Sequence, residues 1–462
     1  MGEVVEFEVS RPRRIHVVGA GGSGMSAIAE VLATMGHSVT GSDKAEFPVM
    51  ARLRAAGVDV RAPFDPANVD GADAVVASTA WLTGNVEVDE ARARGIPVLR
   101  RAAALAAICR LRRTIAVAGT HGKTTTSAML ATILDGAGGR PSFVVGGVIA
   151  GLGTGARWDE GEWFVVEADE SDGTFLDLPA EVAVVTSVEP DHLEHWGGFP
   201  PLADAFGRFV SAARTAVVCA DDAGARKLPA AGTYGFDEGA RFRLAAYESG
   251  RDGCRFTVED TAAVTGSPPP APVEVRLPVA GRYNARNASA ALVAAIEAGV
   301  PLEAGAAALA GYQGVARRAD TRGERDGVTY VDDYAHLPTE VASALAAAKE
   351  GGWRRVVCVF QPHRYSRTAS LWRDFADAFA GADVLAVTDV YAAGEAARPG
   401  VTGKLIVDAV LGAHPDQRVA WLPARPGLVT FLRRDLRPGD LCLTLGAGDL
   451  TSLPDELLGT GR

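Results

Sequence analysis

Short apolar runs alternating with helical periodicity set the pattern of this chain. Arg13-Arg14 precede IHVV, Arg112-Arg113 precede TIAVA, and Arg354-Arg355 precede VVCVF, and each run empties into a loop of chemically capable residues. Uninterrupted apolar runs of this length are what strands buried on both faces of a parallel sheet look like. Beyond the first loop, MSAIAEVLATMG carries apolar positions at helical spacing and stops at Gly36, where a C′ glycine would stand. Beyond the second, TTTSAMLATILDGAG does the same after Lys123. Repetition of strand, loop and helix predicts α/β layers, with ligands at the carboxyl ends of the strands.

The first such block runs on through HSVTGSD, GVDVRA, DAVVASTA and IPVLRR, a doubly wound domain over 1–104. A second, 105–312, holds EWFVVEADESD, EVAVVTSVEPDH and TAVVCADD, each a strand followed by acidic residues. Between Phe242 and Pro278 the pattern becomes alternating, which predicts a small antiparallel region around an exposed Pro-rich turn at Ser267–Pro272. The third, 313–462, carries VTYVDDYAH, VVCVFQPHR, DVLAVTDVY and DLCLTLGAGD. Three domains also suit a length of 462 residues, at about 150 residues per domain.

Composition narrows the function. Apolar residues at 48% and charged ones at 22% belong to a folded globular chain. A net charge of −11 argues against nucleic acid and anionic lipid, which need a basic face. No apolar run reaches the ~18 residues of a membrane span. The N-terminus lacks a secretory pattern, and five scattered cysteines form no CxxC pair. Cys358 and Cys442 sit in apolar runs as small core residues. These features predict a cytoplasmic protein, without membrane insertion, working on small molecules.

Gly19-x-Gly21-x-x-Gly24, with Gly22 and Ser23 inside it, follows a strand and opens a helix, and Asp43 ends the next strand. Tight turn, close diphosphate approach, helix–strand packing and an acid for a ribose hydroxyl make up the dinucleotide fingerprint. Alone it reads as a nicotinamide-dependent oxidoreductase, yet the physics specifies only a diphosphate, which a nucleotide sugar also has. Gly119-Thr120-His121-Gly122-Lys123-Thr124-Thr125 is a second phosphate loop, with Val117 where the usual pattern has glycine. Its backbone N–H groups would cradle phosphates, Lys123 would neutralise them, and Thr124 would reach Mg²⁺. A dehydrogenase needs no such loop and a simple ATPase no dinucleotide finger. Together they point to ATP energy applied to a nucleotide-linked substrate.

The acids of Glu167-Ala-Asp169-Glu170-Ser171-Asp172 and Glu189-Pro-Asp191-His192 end neighbouring apolar runs and suit Mg²⁺, or equally a solvated acidic loop. Asp332-Asp333-Tyr334-Ala-His336 and Gln361-Pro-His363-Arg364-Tyr-Ser-Arg367 place His and Arg where an anion would meet them. Arg317-Arg318 reads as either a phosphate contact or a solvated hinge. Asn284 and Asn287 share a helix face that could read an adenine edge, and N-capping by Asn284 explains the first as well.

With these motifs in hand, the chain resembles the Mur ligase superfamily, the ATP-dependent amide-forming enzymes of peptidoglycan synthesis. The resemblance runs in order through VVGAGGSGMSAIAEVL, GTHGKTTT, EADESDGTFL, DHLEHWGG, GRYNARNASAAL, DDYAHLPTE, FQPHRYSRT, VYAAGEAARPG and LGAGD. It implies a Rossmann-like N-terminal domain, a central P-loop ATPase domain with a small antiparallel region, and a Rossmann-like C-terminal domain. EADESD, DDYAH and FQPHRYSRT resemble the branch that joins L-alanine to the lactyl carboxylate of UDP-N-acetylmuramate through an acyl phosphate. That branch implies roles in cell wall biogenesis, cell shape and cell division, and a monomer or homodimer.

The resemblance places the UDP-sugar at Gly19, Gly21, Gly22, Ser23, Gly24 and Asp43, with Ser78 and Thr79 beside them. It places ATP at Gly119–Thr125, Asn284 and Asn287, and Mg²⁺ on Thr124, Glu167 and His192. Asp333, Tyr334, His336, Arg364 and Arg367 would meet the amino acid and the substrate. Lys123, His192, His336, Arg364 and Arg367 would carry the catalysis. No lysine stands between Asp191 and Cys219, which fits a branch without a carbamylated lysine. Leu337, Ala319 and Asp449 depart from the family pattern. A peptide-recycling ligase of the same superfamily is the alternative, though EADESDGTFL differs from the Tyr and basic insertion expected of it.

Overall fold

A computed structural model describes residues 8–262 and 270–460, so the first half of the expected Pro-rich turn, Ser267 to Pro269, lies outside the described residues. Among the described residues the strands form three sheets. The first holds β1 (Arg14–Val18), β2 (Ser38–Ser42), β3 (Asp59–Arg61), β4 (Ala74–Ala77) and β5 (Val98–Arg100), in the order β3-β2-β1-β4-β5. All four pairings are parallel, and β1 and β4 are buried almost throughout, as their apolar runs require. The chain reverses its direction of sheet growth between β1 and β4, so the loops after them face one crevice. Helix Ser23–Thr34 ends as expected: Gly36 lies in the left-handed region, and the His37 N–H reaches the Leu32 carbonyl at 3.1 Å.

The second sheet holds β6 (Arg113–Ala118), β7 (Ser142–Ile149), β8 (Thr154–Arg157), β9 (Trp163–Glu167), β10 (Val182–Val185) and β11 (Thr215–Cys219). It continues with β12 (Gly232–Gly235), β13 (Phe242–Gly250), β14 (Gly253–Asp260) and β15 (Val273–Leu277). Its order is β15-β14-β13-β12-β11-β10-β6-β9-β7-β8. The strands of the alternating stretch are therefore the edge of the central sheet rather than a separate piece. At the other edge β8 runs antiparallel to β7. Parallel β9 and β10 flank β6, so the acidic loops that follow them lie on either side of the loop that follows β6.

The third sheet holds β16 (Asp320–Arg325), β17 (Val328–Asp333), β18 (Arg355–Phe360), β19 (Val384–Val387), β20 (Val419–Trp421) and β21 (Asp440–Leu445). Its order, β16-β17-β21-β18-β19-β20, brings the ends of β17, β21 and β18 side by side. β16 pairs antiparallel with β17, and the rest are parallel. All five cysteines are free and buried, Cys358 and Cys442 in this sheet. No helix among the described residues is long and apolar enough to cross a membrane. The chain packs as two compact units, Met1–Ala245 with Thr257–Val275 and Arg286–Tyr312, and Ala246–Phe256 with Arg276–Ala285 and Gln313–Arg462.

One polar group interrupts the apolar core of β1. His16 is fully buried, its Nδ1 2.8 Å from Thr40 Oγ1 and its Nε2 3.3 Å from Glu87 Oε2. Glu87 also accepts from the Ser42 hydroxyl, the Asn68 amide (2.7 Å) and the Asp65 N–H (3.1 Å). Burial pushes the Glu87 carboxyl up, and these partners outweigh it, leaving a net lowering. Glu87→Ala would leave the buried His16 and Ser42 without this acceptor in a dry core. We expect it to lower the stability of this sheet by about 3–5 kcal/mol, read as a shifted urea midpoint; a loss under about 1 kcal/mol would contradict the network's role.

Candidate active site

The loop after β6 is shaped by close backbone approach. Gly119 has φ +131°, and a Cβ there would stand 2.8 Å from the Ser187 nitrogen, so only glycine fits between β6 and the segment after β10. That segment grips the loop from its side. The Thr120 N–H donates to the Ser187 carbonyl (3.0 Å), the His121 N–H to Ser187 Oγ (2.9 Å), and Thr186 Oγ1 to the His121 carbonyl. His121 Nε2 lies 3.1 Å from Glu189 Oε2, and Asn287 packs its amide on Gly122. Thr186, Ser187 and this use of Glu189 were not legible in advance, because β10 is a neighbour in space and not in sequence.

Lys123 opens helix Lys123–Gly136, and its ammonium is drawn back under the loop. Nζ donates to the Gly119 carbonyl (2.7 Å) and to both oxygens of Glu170 (3.0 and 2.8 Å). Burial works against the ammonium, but Glu170, Asp169 and Glu167 outweigh it and hold the lysine above its ordinary value. Burial pushes Glu170 up, while Asp169 is lowered because Lys123 and the Ser171 N–H outweigh its own burial. Glu170 is thus the lysine's partner in this structure. Trp196 Nε1 fixes its backbone through the Glu170 carbonyl at 3.0 Å.

Thr124 Oγ1 donates to Glu167 Oε1 (3.0 Å), and the Gly146 N–H holds the other oxygen (2.6 Å). His192 takes a left-handed backbone and lies 3.3 Å from Asp191 Oδ2. Among the described residues no three His, Cys, Asp or Glu side chains gather as a metal cage. A hydroxyl and a carboxylate are nonetheless a hard-oxygen pair of the kind Mg²⁺ accepts, since that ion commonly takes one or two protein ligands with waters and phosphates. The acids therefore divide: Glu167 stands with Thr124, whereas Asp169, Glu170 and Asp172 are counter-charges to cations.

In the first sheet Gly19 lies under Ser78 and Trp81, and Gly21 under Phe47. Asp43 turns inward: its Oδ2 accepts the Gly21 N–H (2.8 Å) and its Oδ1 the Lys44 N–H (2.7 Å). The third glycine differs from the expectation of helix–strand packing. What approaches Gly24 is the guanidinium of Arg101, whose Nη1 is 2.9 Å from the place of a Cβ. Arg101 Nη2 donates to Asp172 Oδ2 (2.9 Å), which also accepts from Thr79 Oγ1 (3.3 Å). Arg101 was missed; its signal was a basic residue just after the apolar strand IPVL.

In the other unit, Asp333 is buried at the end of β17 and accepts from the Ala319 N–H (2.6 Å) and the Ala335 N–H (2.8 Å). Burial pushes its carboxyl up to about 6, against the pull of Arg318. Tyr334 lies between two guanidinium groups, with Arg317 at 4.8 Å and Arg318 at 4.7 Å from its ring centre. Arg317 also donates to the carbonyls of Gly446 and Gly448, so it braces the loop after β21 rather than forming a solvated hinge. Next come His336, edge-on to Tyr334, and His363, edge-on to His336 and stacked on Tyr391. Arg364 holds φ +66° at the start of helix Tyr365–Leu371, a strained backbone of the kind that collects at working sites.

The departures have local explanations. Leu337 is buried, and Glu340 accepts the N–H groups of His336 and Leu337. Ala319 is left-handed, where its N–H meets Asp333. Asp449 accepts from Gln361 Nε2 at 2.7 Å. Asn284 does not cap its helix: it is the third residue of Arg282–Glu297, and its Nδ2 donates to the Ala280 carbonyl (2.8 Å).

Three family models match in succession: Mur ligase family, catalytic domain, over residues 14–113; Mur ligase middle domain over 117–295; and Mur ligase, glutamate ligase domain, over 317–448. The chain belongs to the Mur ligase family. It is 45% identical over 460 residues to the UDP-N-acetylmuramate–L-alanine ligase of Bradyrhizobium diazoefficiens, covering 97% of this chain and 98% of that one. The enzyme of that name from an Anaeromyxobacter species is 45% identical over 459 residues, with the same coverage, 97% and 98%. Among solved structures, UDP-N-acetylmuramate-alanine ligase of Thermotoga maritima is 28% identical with a TM-score of 0.82, covering 97% of this chain and 99% of that one. A murein peptide ligase of Psychrobacter arcticus shares the fold, with a TM-score of 0.69 at 23% identity and coverage of 97% and 98%.

The two shifted groups near Tyr334 give opposite pH dependences. Burial first, then His336 and Arg367, depress His363 to about 3. Arg367 Nη1 lies 3.1 Å from His363 Nδ1, which must then be the unprotonated, accepting nitrogen. A depressed folded value means stability is full above about 6.5 and is lost as pH falls toward 3. Asp333, raised, contributes the reverse: stability present below about 3.8 and lost as pH rises through 6. The His363 ring protons are therefore expected to hold their NMR shifts between pH 8 and 5; a midpoint near 6.5 would show the nitrogen free to protonate.

Proposed function

We propose that the protein is an ATP-dependent ligase that joins L-alanine to the lactyl carboxylate of UDP-N-acetylmuramate, releasing ADP and phosphate, in peptidoglycan precursor synthesis. The observation that carries this reading is a phosphate loop with a half-buried, acid-paired lysine in a chain 45% identical to alanine ligases over 97% of its length. In this reading 1–104 takes the UDP-sugar, 105–312 takes ATP, and 313–462 takes the amino acid.

A carboxylate is a poor acyl donor because oxide would have to leave. Transfer of the γ-phosphoryl group of ATP to the lactyl oxygen turns that oxygen into a leaving phosphate. Lys123 stabilises the charge spread over the transferring group. To do so its ammonium exchanges Glu170 for phosphate oxygens, and the acid keeps it charged until then. Thr124 and Glu167 would hold Mg²⁺, with His192 near Asp191 as a further candidate, and the ion would supply charge neutralisation at the phosphates. Asn287 sits against the phosphate loop, and Asn284 with it is our choice for the adenine side.

Arg364 and Arg367 bind the carboxylate of alanine, with Arg367 oriented by the neutral His363. The amine attacks the acyl carbon, phosphate leaves, and His336 or Asp333 accepts the amine proton. Asp333, near 6, is poised to exchange a proton close to neutrality.

Incubation with UDP-N-acetylmuramate and ATP tests the reading. ADP release is expected to require L-alanine. Release with the L-alanyl-γ-D-glutamyl tripeptide and none with alanine would instead assign the peptide-recycling reaction. Lys123→Ala should lower turnover about a hundredfold or more, with UDP-N-acetylmuramate affinity unchanged. Near-normal turnover in that variant would sink the assignment of the phosphate loop.

A further inference from the structure

We infer that Arg101 is the cation that receives the diphosphate of the nucleotide sugar, and that Asp172 holds it in place until the ligand arrives. The inference rests on reading Gly19–Gly24 as the diphosphate loop of that substrate, and it names the residue that makes the loop fit an anion.

The starting point is charge. A diphosphate brings two negative charges, yet no Lys or Arg lies between Gly19 and Gly24. Asp43 adds a carboxylate within hydrogen-bond distance of the loop, on the Gly21 N–H. Helix N-terminal dipoles offset only part of this, about half a charge. Arg101 corrects the balance. It opens helix Arg101–Cys109 immediately after β5, and its Nη1 lies 2.9 Å from the position of a Cβ on Gly24. Gly24 is therefore the glycine that lets a guanidinium approach the first turn of helix Ser23–Thr34.

The same guanidinium is tied on its other side. Nη2 donates to Asp172 Oδ2 at 2.9 Å and stands 3.7 Å from Asp169 Oδ2, with the side chain about a quarter exposed. A partly exposed single-oxygen ion pair is weak. Two phosphate oxygens in a fork are a better partner for a planar five-donor group. Asp172 is thus a placeholder, and diphosphate binding exchanges one anion for another without leaving Arg101 uncompensated.

Titration calorimetry with UDP-N-acetylmuramate, with ADP measured in parallel, tests this. Arg101→Met should raise the UDP-N-acetylmuramate Kd about tenfold or more and leave the ADP Kd within about twofold. Arg101→Lys should fall between, having the charge without the fork. Asp172→Asn should tighten the nucleotide sugar, because Arg101 is released. Unchanged affinity in Arg101→Met overturns the inference while leaving the reading of the glycine loop intact. Wild-type protein that binds ADP and neither UDP nor UDP-N-acetylmuramate overturns that reading instead. Should Arg101→Met fail to bind ADP through misfolding, Asp172→Asn decides, since it frees Arg101 without touching the glycine loop. Tightened nucleotide-sugar binding there supports the inference, and unchanged or weakened binding overturns it.

Discussion

A lysine that is almost buried has to be kept charged, and much of the first unit is arranged around that need. Lys123 sits at the first position of its helix, where the helix N-terminus repels a cation and burial disfavours one. Only nearby carboxylates can reverse both effects. Parallel pairing of β9 with β6 supplies them, since Glu167 lies in register with Val117 and the next residues carry Asp169 and Glu170 past the loop. The dependence is mutual, because Glu170 is itself almost wholly buried and would carry an uncompensated charge without Lys123. Loop, helix and acidic segment form one electrostatic object.

This changes how the acidity of the chain is understood. A net charge of −11 spoke against polyanions, and the acidic loops looked like metal ligands in waiting. In the folded protein most of those acids have cations of their own: Glu170 holds Lys123, and Asp172 holds Arg101. Glu167 alone of that segment meets the Thr124 hydroxyl. In the proposed reading, an acidic protein thus presents positive charge to phosphate at two loops, with the negative charge set one layer behind. Net charge describes the surface as a whole and is a poor guide to either loop.

What was legible in the sequence follows from what is local. Buried parallel strands show as apolar runs, phosphate loops as glycines between a strand and a helix, and the helix end at Gly36 as a single residue. What was not legible depends on strand order. No local signal says that β10 lies beside β6, so the grip of Thr186 and Ser187 on the loop is invisible until the sheet is assembled. Arg101 lies 77 residues beyond Gly24, and its meeting with Asp172 requires a further long connection. Alternation between Phe242 and Pro278 did predict strands; it could not say that they extend an existing sheet. Asn284 shows the opposite error, a good local explanation displaced by a backbone carbonyl closer to hand.

In the second unit, which we propose takes the amino acid, the problem is to hold the arginines proposed to meet its carboxylate. A carboxylate partner would orient Arg367 but would also cancel its charge, and protonated histidine would repel it. Neutral His363 does neither: it accepts from the guanidinium through Nδ1 and leaves the positive charge intact. Its neutrality is built in, by burial and by the cations around it. Burial also raises Asp333, to about 6, while backbone N–H groups of Ala319 and Ala335 hold its shape. Tyr334 adds a ring face to Arg317 and Arg318, beside the carboxylates Asp332 and Asp333. Neutral His363 and the Tyr334 ring therefore work alongside carboxylates, with Asp332 beside Arg317 and Asp333 near Arg318. For a site proposed to bind an anionic group, an uncharged acceptor on Arg367 orients that guanidinium while adding no negative charge of its own.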